Sequence, residues 1–296
     1  MAYSAKVIAD SVSEAGDRLT TLEVTFPRMV LAEFNTHRVF SRNSASSRAI
    51  PFHKQLDKVL DDPFIPIHWG ANQSGMQAHE EISVDKQSMA VFDWLKARDN
   101  AVDQAKELDA IGVHKQIINR LLEPFMWQTV LVTATEWSNF YALRANPDAQ
   151  PEIRRAAELM KEAHNASEPK LLKNGEWHLP LIQDDELDWA KENPEEAIKV
   201  SVGRCARVSY LTHDGVRDHD KDIELFDRLV SGGHMSPSEH AATPYGEFET
   251  RHVANDYGLT ADVYEFVSKW SGNFHGWQQY RKTILNEQDF SLVEKE

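Results

Sequence analysis

The stretch Thr36-His-Arg-Val-Phe-Ser-Arg-Asn-Ser-Ala-Ser-Ser-Arg48, here called the Arg/Ser motif, places His37 and three arginines among serines and one asparagine. Guanidinium groups bind phosphate through paired hydrogen bonds, and short hydroxyl and amide side chains complete its hydrogen bonding. Because the whole chain carries a formal net charge of -15, this local excess of cations predicts a pocket for an anionic ligand. An Arg/Ser-rich surface loop is the alternative interpretation.

The composition favours a globular protein of one domain over residues 1–296. The hydrophobic content of 41% suffices for a core, and no Gly/Ser linker divides the chain. The acidic, turn-rich stretch at about 160–198 is the predicted insertion. The acidic balance argues against nucleic-acid or membrane binding. A single cysteine excludes an intramolecular disulfide, and no secretory signal is recognised, so we expect a cytoplasmic protein.

Hydrophobic periodicity predicts the secondary structure. It predicts helices over 84–122 with a break at Gly112, over 125–145, over 151–165 and over Asp222–Val230. It predicts strand character over 19–34 and 199–210, and an ordered loop over 51–80. Residues 125–145 are apolar on nearly every face; their Thr and Val content favours a strand, but their length favours a buried helix, which we prefer.

A second motif, Gly233-His-Met-Ser-Pro-Ser-Glu-His240, is here called the Gly/His motif. A Gly pair ends the preceding helix, and the spacing of Ser236 and Glu239 is that of a capping box. A helix N-terminus also binds phosphate, so capping and ligand binding are compatible.

A third motif runs from Leu143 to Arg154 and carries Arg144 at the end of an apolar segment. There the guanidinium is placed at the edge of the core, where it either binds a ligand or caps helix carbonyls.

Together these motifs resemble the flavin-dependent thymidylate synthase family. The family pattern R-H-R-x-x-S-x-N-x-x-S-x-R is matched at His37, Arg38, Ser41, Asn43, Ser46 and Arg48. Further family elements are matched by Arg120 with Pro124, by Asn139-Phe140 with Leu143-Arg144, by Ala149–Arg154, by Ala206–Tyr210 and by Gly233–His240. The resemblance implies an α+β fold with an antiparallel sheet and long helices. Because the family's opening segments come last here, it also implies a circular permutation.

The chain departs from the family pattern at several positions. The first Arg of the signature is Thr36, and its usual neighbours are replaced by Glu33 and Ser44. The N-x-R element has become Thr133-Ala-Thr135. The segment 271–282, with Gln279, Arg281 and Lys282 for an anion and Trp277 or Tyr280 for a ring, either replaces some of these contacts or forms an amphipathic surface helix.

Two other chemistries have weaker support. His213-Asp214 and Asp218-His219-Asp220 lie in a hydrophilic loop without fixed ligand geometry, so no metal site is expected. Cys205 lies in an apolar segment without an adjacent base, which predicts a packed core thiol and not a nucleophile.

By resemblance, the protein transfers a one-carbon unit from methylenetetrahydrofolate to C5 of dUMP, with FAD as cofactor and NADPH as reductant. The resemblance implies Arg144 as the catalytic cation and Ser46, Arg48 and Arg120, with Arg144, as substrate-binding residues. It implies an FAD site formed by His37, Arg38, Asn43, Asn139, Ser209, His234 and Ser236, and a homotetramer with shared sites. Hydroxymethylation of dUMP or dCMP remains open, as does a non-catalytic nucleotide-binding protein.

Overall fold

A computed structural model describes residues 3–208, 217–246, 248–254, 260–266, 269–285 and 287–289. Its helices are α1 (Leu31–Phe34), α2 (Phe52–Asp61), α3 (Val84–Ala110), α4 (Lys115–Leu121), α5 (Ser138–Arg144), α6 (Pro151–Ala166), α7 (Leu187–Glu192), α8 (Pro194–Arg207) and α9 (His219–Ser231). Its strands are β1 (Ser4–Ser13), β2 (Arg18–Pro27), β3 (Ser41–Ser44), β4 (Trp127–Ala134), β5 (Lys170–Leu172), β6 (Ala242–Pro244), β7 (Phe248–Ala254), β8 (Thr260–Phe266), β9 (Trp270–Ser271), β10 (Phe274–His275) and β11 (Trp277–Gln279).

The main sheet has five strands in the order β3-β4-β2-β1-β5. The pairs β1/β2, β2/β4 and β3/β4 are antiparallel, and β5 alone joins in parallel. With α3 running over 27 residues, the predicted α+β class with an antiparallel sheet and long helices is confirmed.

One face of the sheet carries the principal apolar core. Side chains of β2 and β4 point to this face, and residues of α5 and α6 pack on them. Alternate positions such as Leu22 and Val132, which are register partners, are fully buried here. This packing fixes which face of each strand is apolar.

The opposite face of the sheet holds a buried chain of hydrogen bonds. His178 is bonded through Nδ1 to the Ser11 hydroxyl and through Nε2 to the Thr21 hydroxyl, both at 2.8 Å. Thr21 is bonded to Thr133 and Thr133 to His240 Nδ1, both at 2.7 Å. All five side chains are at most 4% exposed, so the chain forms a polar layer inside the protein.

The helix predicted over 125–145 is wrong for its first half. Residues Trp127–Ala134 form β4, and only Ser138–Arg144 is helical. The segment is apolar on nearly every side because β4 is a central strand with both faces buried. Such a strand has no alternation that distinguishes it from a buried helix.

Two other predictions of secondary structure are also wrong. The loop predicted over 51–80 contains α2, because the Pro and Gly residues that suggested a loop mostly follow that helix. Strand character was predicted over 199–210, but residues 199–207 belong to α8, which has Pro at its start and two glutamates in its first turn. There Gly203 allows close packing on α9, since an added Cβ would lie 2.3 Å from the Asp222 carbonyl oxygen.

The remaining helix predictions are confirmed. The break at Gly112, which has φ +84°, separates α3 from α4. The predicted helices over 151–165 and Asp222–Val230 correspond to α6 and α9. The helices α6 and α9 each have one buried apolar face and one exposed face, so their periodicity is visible in the sequence.

The acidic stretch at about 160–198 is joined to the main sheet. Its β5 pairs with β1, and His178 lies in the polar layer. Its character as an insertion, and the one-domain organisation, stay predictions. None of the helices in the described part of the chain is long and apolar enough to cross a membrane.

Acid should destabilise this fold through His178 and His240. Burial lowers the pKa of each to about 3, from 6.5, with Asp10 only partly opposing the shift at His178. Below about pH 6.5 the unfolded chain therefore binds protons that the native state does not, and stability falls until the native pKa is reached. Each histidine contributes a slope of about 1.4 kcal/mol per pH unit.

Urea unfolding at several pH values between about 6.5 and 5 measures this slope. His178→Gln and His240→Gln should each flatten it, whereas the control His53→Gln, at an exposed histidine, should not. An unchanged slope in both core variants contradicts the prediction.

Candidate active site

The centre of the site is a direct contact between the Arg/Ser motif and the end of α5. Arg144 Nε donates a hydrogen bond of 3.0 Å to His37 Nε2. Burial lowers the pKa of His37, and the charges of Arg144 and Arg42 lower it further, so His37 is neutral and accepts this bond. Among the described residues, the two terminal guanidinium nitrogens of Arg144 have no hydrogen-bond partner. Arg144 thus has a fixed position, and its two terminal nitrogens are available to a ligand.

Aromatic packing holds these two elements together. The rings of Phe34 and Phe40, on either side of His37, lie 5.6 and 5.1 Å from Phe140 of α5. Phe40 also lies 4.9 Å from Trp137, which precedes α5. The His37 ring itself meets Phe140 edge-on at 4.9 Å. The position of His37 is therefore set by the apolar core.

The other end of the Arg/Ser motif forms a separate polar cluster with α4. Ser47 donates a hydrogen bond to Glu123, which also pairs with Arg120 at 2.8 Å and with Arg28 at 3.0 Å. Arg48 is exposed and has no ion-pair partner among the described residues, and Ser46 is partly buried. Arg48 is thus the cation of this cluster that is open to a ligand.

The two clusters lie at opposite ends of β3 within one protomer. β3 pairs with β4 from Ser41 opposite Thr133 to Ser44 opposite Val130. His37 precedes this pairing and Arg48 follows it, and the strand itself spans about 10 Å. The structure brings His37 to Arg144, and it links Ser47, which lies between Ser46 and Arg48, to Arg120 through Glu123, but it does not place the two groups in one contact.

The Gly/His motif is joined to β3 through residues 271–282, here called the C-terminal segment. Ser41 donates a hydrogen bond to Asn273 Oδ1, and Gln279 Nε2 donates to the same oxygen, to Ser41 and to the Glu239 carbonyl. Asn273 Nδ2 donates to the Val39 carbonyl. These two amides join the motifs. The sequence suggested Gln279 only as a residue for an anion and gave Asn273 no role, because both lie more than 200 residues from Ser41.

The predicted FAD-site residues differ in accessibility. Arg38, Asn139, His234 and Ser236 are exposed. Asn43 is 4% exposed; its Nδ2 donates to the Cys205 carbonyl, and its Oδ1 has no partner among the residues that the structure describes. Ser209 lies outside the described residues, as do Tyr210, His213 and Asp214.

Some cations of the motifs are already paired inside the protein. Arg42 donates hydrogen bonds to the carbonyls of Phe34, Asn35 and His37, at the end of α1. Arg281 pairs with Glu239 and Glu287.

The alternative that 271–282 is a surface helix is wrong, whereas the anion site stays a prediction, with Arg281 already paired to two carboxylates. Lys282 also pairs with Glu287, and Trp277 is fully buried. The segment forms β9, β10, β11 and a short 3-10 turn, and its side chains bind the rest of the protein.

The loop considered for a metal has other contacts. Asp218 caps α9 through the Lys221 amide, and His219 contacts Glu186. Within the described residues, no group of three or more His, Cys, Asp or Glu side chains is arranged to hold a metal ion.

Comparison with known proteins agrees with the motif pattern. The model of the family described as thymidylate synthase complementing protein matches residues 17–170, more than half of the chain. The chain belongs to this family. The match includes the Arg/Ser motif and Arg144, whereas the Gly/His motif lies beyond it, and the circular permutation stays a prediction.

Two solved structures are similar to this chain. Both are of a UMP/dUMP methylase from Streptomyces cacaoi, one bound with 5-Br UMP and one with 5-Br dUMP. Each covers 55% of this chain, and 88% and 90% of its own, at 17% identity with TM-scores of 0.42 and 0.46. A search of curated protein sequences finds no match.

Cys205 of this family member is a core residue, as its surroundings in the sequence predicted. It is 0% exposed and packs with Leu131 and Val208. Burial raises the pKa of its thiol, so the thiolate required of a nucleophile is disfavoured.

Replacement of Cys205 by Ser should therefore leave catalysis intact. We expect at most a modest loss of stability and a turnover close to wild type, measured with the assay described below. A folded variant without turnover would instead indicate covalent catalysis by the thiol.

Proposed function

We propose that this family member modifies C5 of a deoxyuridylate, transferring a one-carbon unit from methylenetetrahydrofolate to dUMP with FAD and NADPH. The observation that supports it best is the His37–Arg144 contact, which joins two family motifs that lie 107 residues apart. It leaves a planar cation oriented and available beside exposed residues of the Arg/Ser motif.

Arg144 is the proposed catalytic cation. C5 of the uracil ring must act as the nucleophile toward the one-carbon unit, and a fixed guanidinium that stabilises negative charge on the polarised ring would make C5 more nucleophilic. Because His37 holds Nε, the two terminal nitrogens keep a defined orientation toward the substrate. The lowered pKa of His37 keeps a second positive charge out of this position.

The substrate phosphate is proposed to bind at the other cluster. Arg48 offers an unpaired guanidinium and Ser46 a hydroxyl, while Arg120 shares its charge with Glu123. Since this cluster and Arg144 lie at opposite ends of β3, we propose that a second copy of the chain completes each site. This agrees with the homotetramer implied by the resemblance.

The FAD site is proposed at the contact of β3 with the Gly/His motif. The exposed Arg38 and His234 suit the phosphates of the cofactor. Nearby, Asn43 Oδ1, Ser238 Oγ and His240 Nε2 are buried and have no hydrogen-bond partner in the described part of the chain, so these atoms can still bind polar groups of a ligand. Asn139, Ser209 and Ser236 complete the proposed set. When bound, FAD supplies the reducing equivalents that turn the transferred carbon into a methyl group.

The product decides among the candidate functions. The purified protein should show the flavin absorption band, and incubation with dUMP, methylenetetrahydrofolate and NADPH should yield dTMP by mass spectrometry. A hydroxymethylated dUMP or dCMP product would identify the alternative enzyme. Nucleotide binding without flavin or conversion would identify a non-catalytic protein and overturn the proposal.

Arg144→Ala should nearly abolish turnover while leaving the fold intact. Loss of a cation that acts mainly in the transition state costs on the order of 10²–10³-fold in kcat. Arg144→Lys should restore little of the turnover, because an ammonium group lacks the coplanar N–H donors of a guanidinium.

Steady-state kinetics and circular dichroism test this, with Arg155→Ala as the control on the exposed side of α6. If Arg144→Ala retains wild-type kcat, Arg144 is only a helix-end residue and the proposed mechanism is wrong.

A further inference from the structure

The first half of α3 carries large apolar side chains on its solvent side. Met89 and Phe92, one helical turn apart, are 66% and 68% exposed. The other side of the same turns is packed: Trp94 meets the rings of Phe64 and Phe125, and its Nε1 donates a hydrogen bond to the Phe64 carbonyl. The exposed pair is therefore separate from the core, which α3 contacts through its opposite face.

Helical geometry places this pair in one row with two charged residues. Successive residues turn by about 100° around a helix axis, so that four exposed side chains lie within about 60° of one another. They are Asp85, Met89, Phe92 and Lys96, here called the α3 stripe. Trp94 lies about 180° from Asp85 around the axis. The stripe therefore faces directly away from the core.

The two ends of the α3 stripe carry charges of opposite sign. Asp85 and Lys96 are exposed, and neither has an ion-pair partner among the residues that the structure describes. They lie about 16 Å apart along the helix axis, so they cannot pair with each other within one chain. The stripe thus offers an apolar centre, a carboxylate at one end and an ammonium group at the other. A partner with the reverse order of charges would satisfy both ends.

The α3 stripe has this reverse order when it meets itself in antiparallel orientation. Met89 and Phe92 lie equally far from the midpoint of the stripe, and so do Asp85 and Lys96. A two-fold axis through that midpoint sets Met89 of one copy beside Phe92 of the other. The same axis sets Asp85 of each copy opposite Lys96 of the other. Packed helices lie about 8–10 Å apart, a distance that these side chains can span.

We propose that the α3 stripe is a docking surface for a second copy of this chain, packed antiparallel about a two-fold axis. The inference goes beyond the proposed function, because none of the four residues belongs to the proposed site and the contact needs no flavin, folate or nucleotide. An anionic lipid surface is a poor occupant, since the chain carries a net charge of -15 and Asp85 and Asp93 are exposed beside the apolar pair. A stripe on one helix forms a small interface, so we expect it to dissociate at micromolar concentrations.

Sedimentation velocity of the full-length protein, without added cofactors, tests the contact between about 1 and about 100 µM. The wild type should associate. Phe92→Glu places two carboxylates at the centre of the interface and should weaken association at least about tenfold, reducing a dimer to a monomer or a tetramer to a dimer. The matched control Gln104→Glu adds the same charge at an exposed position of α3 outside the stripe and should leave association unchanged. Circular dichroism verifies that each variant is folded.

Charge reversal tests whether the partner is a second copy. Asp85→Lys and Lys96→Asp each set like charges opposite one another in both symmetry-related pairs, so each should weaken association at least about threefold. The double variant restores two pairs of opposite charge and should recover the wild-type association. Such a rescue cannot arise within one chain, because the two residues are about 16 Å apart.

The proposal fails if the wild type is monomeric over the whole concentration range, which would leave the stripe to a partner of another kind. It fails equally if folded Phe92→Glu associates as the wild type does. A double charge-reversal variant that associates no better than the single variants would also overturn it, because the ends of the stripe would then not pair between copies.

Discussion

The fold depends on the burial of β4, which is hydrogen-bonded along both edges and covered on both faces. On one face Val132 and its neighbours pack into the apolar core, and on the other Thr133 joins the buried polar layer. A shift of one residue in register would exchange these two environments, placing a hydroxyl in the core and a valine among histidines. The apolar core on one face and the polar layer on the other therefore fix the register of β4. The elements that pair with β4 or follow it take their positions from this register.

The site follows from that register. β3 pairs along β4, so the His37 end of the Arg/Ser motif meets α5, which begins shortly after β4 ends. The Arg48 end meets α4 and the turn that leads into β4. One motif thus supplies two clusters, one at each end of β3, and the pairing of β3 with β4 sets the distance between them.

The C-terminal segment holds the Arg/Ser motif and the Gly/His motif in position relative to each other. Asn273 and Gln279 link the backbone and side chains of the Arg/Ser motif to the Gly/His motif, and Gln279 is 1% exposed. The sequence suggested Arg281, in the same segment, as a binding residue for an anion, but Arg281 is paired with the carboxylates of Glu239 and Glu287. A basic residue in the sequence is therefore not always available to a ligand, because carboxylates far away in the sequence can pair with it in the folded protein.

The sequence by itself determined the helices α3, α4, α6 and α9, the motifs and the family to which they belong. In α6 and α9 one face is buried and the other exposed, so periodicity survives in the residue order. Only the tertiary structure decided that 127–134 is a strand, since a strand buried on both faces is apolar throughout and carries no period. It also decided that 194–207 is a helix. It also decided which cations are free and that His37 meets Arg144, because such contacts join residues more than a hundred positions apart and depend on packing that no local pattern records.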